Sequence, residues 1–231
     1  MTAAAADRAV TYHFKESPYS SHSVLLGMFP APGGGRRVLD AGCGNGDLSR
    51  ILDGRGYAVT AVERPGGVTG ALPESVRLVE HDLDRSLPPI EGGFDVIVLA
   101  DVLEHLRDPA ALLRELRPML AADGELVVSL PNSGNLYFRL VVLSGRFPQE
   151  DKGLFDRTHL HFYTWDGWRE LFGSAGFAMV EVCPTGIPVG LRFAEHSGSW
   201  PVRAAERISY ELARVRKQMF AYQFIARIRP Q

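Results

Sequence analysis

Apolar residues fall into short continuous runs that alternate with stretches of helical spacing. This alternation predicts repeated strand–helix–strand units around a mainly parallel sheet. Residues 37–39 read as the first strand, with a glycine cluster directly behind them, and residues 48–54 as a short helix. Strands two, three and four are predicted at 58–62, 76–80 and 94–100, with the breaker-rich stretch 64–73 before the third. Residues 94–100 (FDVIVLA) are apolar without alternation, the pattern of a strand buried on both faces. Asp108-Pro109 is a helix start, because Asp caps free N–H groups and Pro suits the first helical position. That helix is predicted to run to about Leu120, with Leu112, Leu113, Leu116 and Leu120 on one face. Asp123-Gly124 then turns the chain into a fifth strand at 125–130. A helix at 165–175 closed by Gly176, a sixth strand at 177–183, an amphipathic helix at 201–219 and a final strand at 220–229 complete the pattern. The expected fold is therefore α/β, with a doubly wound seven-stranded sheet.

Residues 133–163 follow neither periodicity. They are rich in Gly, Pro, charges and aromatics, and Tyr137, Phe138, Phe147 and Phe155 argue against disorder. A long connection of this kind is expected to be a cap or lid, inserted into a domain spanning 37–231 behind an N-terminal lid or helical segment at 1–36. The length of 231 residues suits one such domain. With 25 basic and 27 acidic residues the net charge is −2, so no nucleic-acid partner is expected. Cys43 and Cys183 form no C-x-x-C pair or metal-ligand spacing, which suits a reducing, cytoplasmic setting. Residues 1–6 lack a basic region and read as a frayed terminus rather than a signal peptide. No stretch approaches the ~20 apolar residues that a membrane span needs.

The strongest signal is Asp40-Ala41-Gly42-Cys43-Gly44-Asn45-Gly46, between a strand and a helix. Glycines there allow a tight turn and close backbone approach to a ligand, at a helix start with free N–H groups. The third glycine comes one residue earlier than in the dinucleotide pattern G-x-G-x-x-G, and Asp40 suits a cationic amine better than a phosphate. A tight turn without ligand is the alternative. Glu63 ends strand two, where a carboxylate can accept bonds from both hydroxyls of a ribose. Asp82 follows strand three and can accept a bond from an adenine amino group. All three loops lie at carboxyl ends of neighbouring strands, where open α/β sheets bind ligands.

Over roughly residues 37–183 the pattern resembles class I S-adenosylmethionine (SAM)-dependent methyltransferases. Residues 38–46 resemble their first motif, which places Asp40, Gly42, Gly44 and Asn45 in the cofactor loop. By the same resemblance Glu63 is the ribose acid, and Asp82 with Leu83 contacts the adenine. Residues 94–105 resemble the fourth-strand motif, so Ala100 and Asp101 border the methionine part of SAM. The segments at 101–109 and 156–164 resemble a bacterial subgroup with D-V-L-E-H-L-x-D-P and D-R-T-H-L-x-F-[FY]-T, often found with polysaccharide or natural-product biosynthesis. The resemblance implies a Rossmann-like sheet with its last strand antiparallel, and SAM as cofactor. In the N-terminal stretch it implies Tyr19 at the carboxylate of SAM and Tyr12 and His13 near the acceptor; a helix packing on the sheet edge is the alternative.

Methyl transfer from a sulfonium depends chiefly on holding the nucleophile in line, and a hydroxyl acceptor gains from a base. His159 and His161 are the candidate bases, against the alternative of histidines bonding backbone carbonyls; His105 is a third. Asp101, Glu104 and His105 stand at i, i+3 and i+4 and would share a helix face. Asp101 with Glu104 can form a capping box. The sharper alternative is a divalent-metal site completed by His159. It is similar to the E-x-x-E-H motif of metal-dependent small-RNA 2′-O-methyltransferases and to the E-H of ubiquinone-pathway O-methyltransferases, but the first acid here is Asp, and no metal is favoured. On the helix at 201–219, Arg203, Arg207, Arg214, Arg216 and Lys217 read as a solvated charged face, with membrane-surface contact as the alternative. The expected function is O-methylation of a sugar or natural-product hydroxyl. N-methylation, metal-dependent RNA 2′-O-methylation and SAM binding without turnover are the alternatives.

Overall fold

The computed structural model describes residues 17–192 and 199–231. Seven strands form one sheet in the order β3-β2-β1-β4-β5-β7-β6. They are β1 (Arg37–Ala41), β2 (Ala58–Glu63), β3 (Arg77–Glu80), β4 (Phe94–Ala100), β5 (Leu120–Pro131), β6 (Phe177–Pro184) and β7 (Gln223–Pro230). The pairings from β3 to β5 are parallel, and β7 runs antiparallel to both β5 and β6. The doubly wound sheet with an antiparallel last strand is thus present. The helices are α1 (Ser21–Gly27), α2 (Asp47–Gly54), α3 (Pro109–Leu116), α4 (Leu136–Leu143), α5 (Trp165–Ser174), α6 (Val189–Arg192), α7 (Trp200–Val215) and α8 (Lys217–Phe220).

Alternate residues of the apolar strands enter opposite layers. Leu39, Ile97, Leu99, Leu126 and Val128 pack with Leu112, Leu113 and Leu116 of α3 and Trp168 and Phe172 of α5. Val38, Val59, Val96, Val98 and Val127 pack with Leu25 and Leu26 of α1 and Leu52 of α2. Burial on both faces explains why residues 94–100 carry no polar alternation.

Several boundaries differ from expectation. α3 begins as predicted, with the Asp108 carboxylate accepting from the Ala111 N–H at 2.9 Å. It stops at Leu116 rather than Leu120, because Pro118 cannot donate to a further helical turn, and Arg117–Met119 closes as one 3₁₀ turn. β5 starts at Leu120, and Asp123-Gly124 lies in a register irregularity inside the strand instead of ahead of it. The predicted helix at 201–219 breaks at Arg216, whose φ is −142°, into α7 and α8. Residues 220–222, expected in the last strand, precede β7. Within 133–163 a two-turn helix, α4, forms, and Phe138 stacks on Phe155 at 4.4 Å between ring centroids. No helix among the described residues is long and apolar enough to cross a membrane.

Candidate functional site

The turn between β1 and α2 bends through three left-handed glycines, Gly42, Gly44 and Gly46, at φ of 82°, 54° and 78°. The N–H groups of Gly42 and Cys43 both bond the Val62 carbonyl at the tip of β2 (2.8 and 3.0 Å). A Cβ on Gly42 would stand 2.6 Å from Val102 Cγ2, whereas a Cβ on Gly44 would meet nothing within 4 Å. The turn is therefore packed on the β4 side at Gly42 and open at Gly44.

Glu63 reaches this turn, its carboxylate accepting from the Gly44 N–H at 2.7 Å. The β2 and β3 tips are tied by the His81 N–H donating to the Glu63 carbonyl at 2.7 Å. Asp82 is half-buried. Its carboxylate accepts from the Asp84 N–H (3.1 Å) and lies 3.4 Å from Arg85 Nε. Leu83 is buried and its side chain packs with the core below β4. Asn45 Oδ1 accepts from Thr69 Oγ1 at 2.8 Å, joining the glycine turn to the stretch after β2.

Asp40 does not present its carboxylate to a ligand, and this corrects its reading as a partner for an amine. It is 1% exposed and accepts from Ser49 Oγ of α2 at 2.6 Å. Burial, with a smaller contribution from the nearby Glu63 charge, raises its pKa from 3.8 to about 6. Asp40 thus braces the turn from beneath.

Ala100 ends β4 opposite Ser129 of β5. Asp101 follows at φ +56°, the one left-handed residue other than glycine among the described residues. Non-glycine residues take this conformation at a cost and cluster at functional sites. Its Oδ1 accepts from Ser129 Oγ (2.5 Å) and from Gln223 Nε2 (2.8 Å), so it bridges the ends of β4, β5 and β7. Asp101 is not a helix cap, and no capping box forms with Glu104. The turn at Leu103–His105 is a single 3₁₀ turn preceded by Val102, with no side-chain cap.

That turn brings Glu104 and His105 against the segment at 156–162. The Glu104 carbonyl accepts from the N–H groups of Leu160 (2.8 Å) and His161 (3.2 Å). Its carboxylate is buried, with Oε1 3.9 Å from His159 Nε2 and Oε2 without a hydrogen-bond partner. One ligand atom each from Glu104, His105 and His159 lies within 4.8 Å of the others. Asp101 is not in this group, so the expected four-residue cluster reduces to three. Burial pushes the Glu104 carboxyl well above the carboxylate range. Burial, and then the neighbouring His105, lowers His159 to about 4. In both groups burial disfavours the charged form.

The rings of His105 and His159 stand 4.8 Å apart. His105 Nδ1 lies 3.2 Å from the Thr158 carbonyl and 3.1 Å from Thr158 Oγ1. That hydroxyl donates to Asp156 at 2.6 Å. The His159 side chain is only 6% exposed, whereas His105 is half-buried. His161 donates from Nε2 to the Leu106 carbonyl at 2.9 Å and stacks on Tyr163, the backbone-bonding role. Tyr19 packs on Tyr210 of α7, with centroids 4.9 Å apart. Tyr12 and His13 lie outside the described residues. Sequence reasoning missed Ser49, Ser129 and Gln223. Gln223 is 122 positions from its partner Asp101, and no local pattern marks it.

A glycine turn after β1, acids at the next two strand tips and this strand order define a doubly wound α/β protein of the cofactor-binding class. The methyltransferase-domain family Methyltransf_23 matches residues 13–182. The chain belongs to that family. It is 27% identical over 173 residues to a ubiquinone biosynthesis O-methyltransferase of Aeromonas salmonicida, covering 71% of this chain and 66% of that protein. It spans about half to two thirds of the length of the curated relatives it matches. The fold is shared with an S-adenosylmethionine-dependent methyltransferase from Mesorhizobium loti at a TM-score of 0.60 and 21% identity, covering 90% of this chain and 97% of that one. It is shared also with the methyltransferase in complex with the Haloferax volcanii Trm112 activator, at 0.61 and 18%, covering 90% and 88%.

Proposed function

We propose that the protein transfers a methyl group from SAM to a hydroxyl of a small organic acceptor. The observation that carries this reading is the open glycine turn at Gly44 with the Glu63 carboxylate at its edge. Glu63, held at the open turn by the Gly44 N–H, offers its remaining lone pairs to a ribose, and Asp82 stands at the next tip for an adenine amino group. SAM supplies an electrophilic methyl carbon. The acceptor oxygen bonds that carbon as the carbon–sulfur bond breaks, the electron pair stays on sulfur, and the hydroxyl proton needs a base.

His105 suits that task. Its Nδ1–H is engaged by Thr158, which leaves Nε2 as the proton acceptor. His159, nearly enclosed and shifted to about 4, is a weak base and instead backs the His105 ring. The segment at 133–163 serves as the cap over the acceptor, with exposed Phe162 beside His159 (6.0 Å between ring centroids) and exposed Phe147 edge-on against Phe162. Calorimetry with SAM, followed by an acceptor screen with labelled SAM, tests the reading. His105→Ala is expected to keep SAM affinity and lower kcat about 10²-fold or more. Undetectable SAM binding by the unaltered protein refutes the cofactor assignment, and unchanged kcat removes His105 from the chemistry.

A second reading has its own observation. The orphaned Glu104 Oε2 and the imidazoles of His105 and His159 form a donor set that fits a divalent cation. A cation held there would lower the pKa of an acceptor hydroxyl. Loss of turnover with chelator, restored by added metal in the unaltered protein but not in Glu104→Gln, selects this reading over the metal-free one.

A further inference from the structure

Helix α7 is amphipathic in an unusual sense, because its outward face is also apolar. Its inner side is anchored. Val202 and Ala213 are buried, and the Glu206 carboxylate accepts from Ser17 Oγ (2.8 Å) and the Gly190 N–H (2.9 Å). The outer side carries Trp200, Ile208, Leu212 and Val215 at 76%, 62%, 44% and 86% exposure. At 100° per residue Ile208, Leu212 and Val215 fall on one stripe, with Trp200 at its edge near the helix start. The shallow groove along it is lined by α7 residues alone (Arg207, Ile208, Glu211, Leu212 and Val215). Among the described residues no second wall grips a partner's side chains.

Along one flank of this stripe stand Arg203, Arg207 and Arg214, all exposed, and Arg216 follows at the helix end. Only Arg214 has an acidic partner among the described residues, Glu211 at 3.1 Å. Four arginines against one glutamate would repel a second copy laid face to face on the same helix. A convex apolar ridge with a basic border and an edge tryptophan instead matches a bilayer interface, which accepts apolar side chains and attracts cations. We propose that α7 docks the protein peripherally onto an anionic lipid surface, Ile208, Leu212 and Val215 entering the headgroup boundary and the arginines facing lipid phosphates.

Co-sedimentation of the full chain with phosphatidylcholine vesicles, with and without phosphatidylserine, tests the proposal. Binding is expected only to the anionic vesicles, falling as salt screens the arginines. Each of Arg203→Gln and Arg207→Gln should weaken it about fivefold. The double variant Ile208→Asp, Val215→Asp should abolish it while circular dichroism stays unchanged, since both side chains are exposed and the inner anchors are untouched. Three results would overturn the proposal. One is absence of binding by the unaltered chain to anionic vesicles. Another is equal binding by the double variant. The third is a vesicle-free dimer, seen by ultracentrifugation, that the same variant dissolves.

Discussion

Asp40 offers the sharpest test of how the glycine turn is built. Its carboxyl is enclosed between β1 and α2, with a pKa raised from 3.8 to about 6. This shift corresponds to about 3 kcal/mol. Because the folded pKa is the higher one, the stabilisation is fully present below pH 3.8, where both states are protonated. It is lost as pH rises through 6, because the unfolded chain ionises first. Asp40→Asn keeps the size and still accepts from Ser49 Oγ, but it does not titrate. The unfolding free energy of the variant minus that of the unaltered protein should therefore increase with pH. About 2 kcal/mol of the increase should fall between roughly pH 4.5 and 7. Groups that do not interact with Asp40 titrate alike in both proteins and cancel. Urea denaturation followed by tryptophan fluorescence reads this as a relative gain in midpoint of about 1 M for the variant. A difference that stays flat over that interval refutes the claim that Asp40 is buried and desolvated, and with it the bracing role beneath the glycine turn.

Other outcomes follow from single contacts. Gly42→Ala and Gly44→Ala should separate packing from ligand access. The first meets Val102 and should cost about 2 kcal/mol or more in denaturant. The second should cost only about 1 kcal/mol yet weaken SAM binding in calorimetry, because its methyl group enters the open crevice. Thr158→Val removes the hydroxyl between Asp156 and His105; kcat should fall and its pH profile shift, with SAM affinity unchanged. Glu125 is 5% exposed and holds Arg227 (3.1 Å) and Arg229 (2.9 Å). Glu125→Gln should destabilise the protein by about 1 kcal/mol at neutral pH, read by thermal or urea unfolding, since Arg229 is largely exposed and Arg227 keeps Glu181 at 3.3 Å.

What could be read from the linear chain was whatever neighbouring residues decide among themselves. The continuous apolar runs, the Asp108-Pro109 start and the glycine cluster are local features, and the parallel sheet, α3 and the glycine turn came from them. The place of Glu63 beside that turn was legible for the same reason, since it stands at the end of a strand whose partner carries the turn. Tertiary structure alone decided which carboxylates stay available to a ligand. Asp40 and Glu63 look equivalent in the sequence, yet one is enclosed under α2 and the other lies over Gly44. The capping box read for Asp101 and Glu104 does not form because Asp101 instead bridges Ser129 and Gln223, and β7 reaches that place only once the sheet has closed. Likewise Glu104, His105 and His159 meet across more than fifty residues, and the shifts at Glu104 and His159 follow from burial, a property of the packed molecule that no spacing of residues encodes.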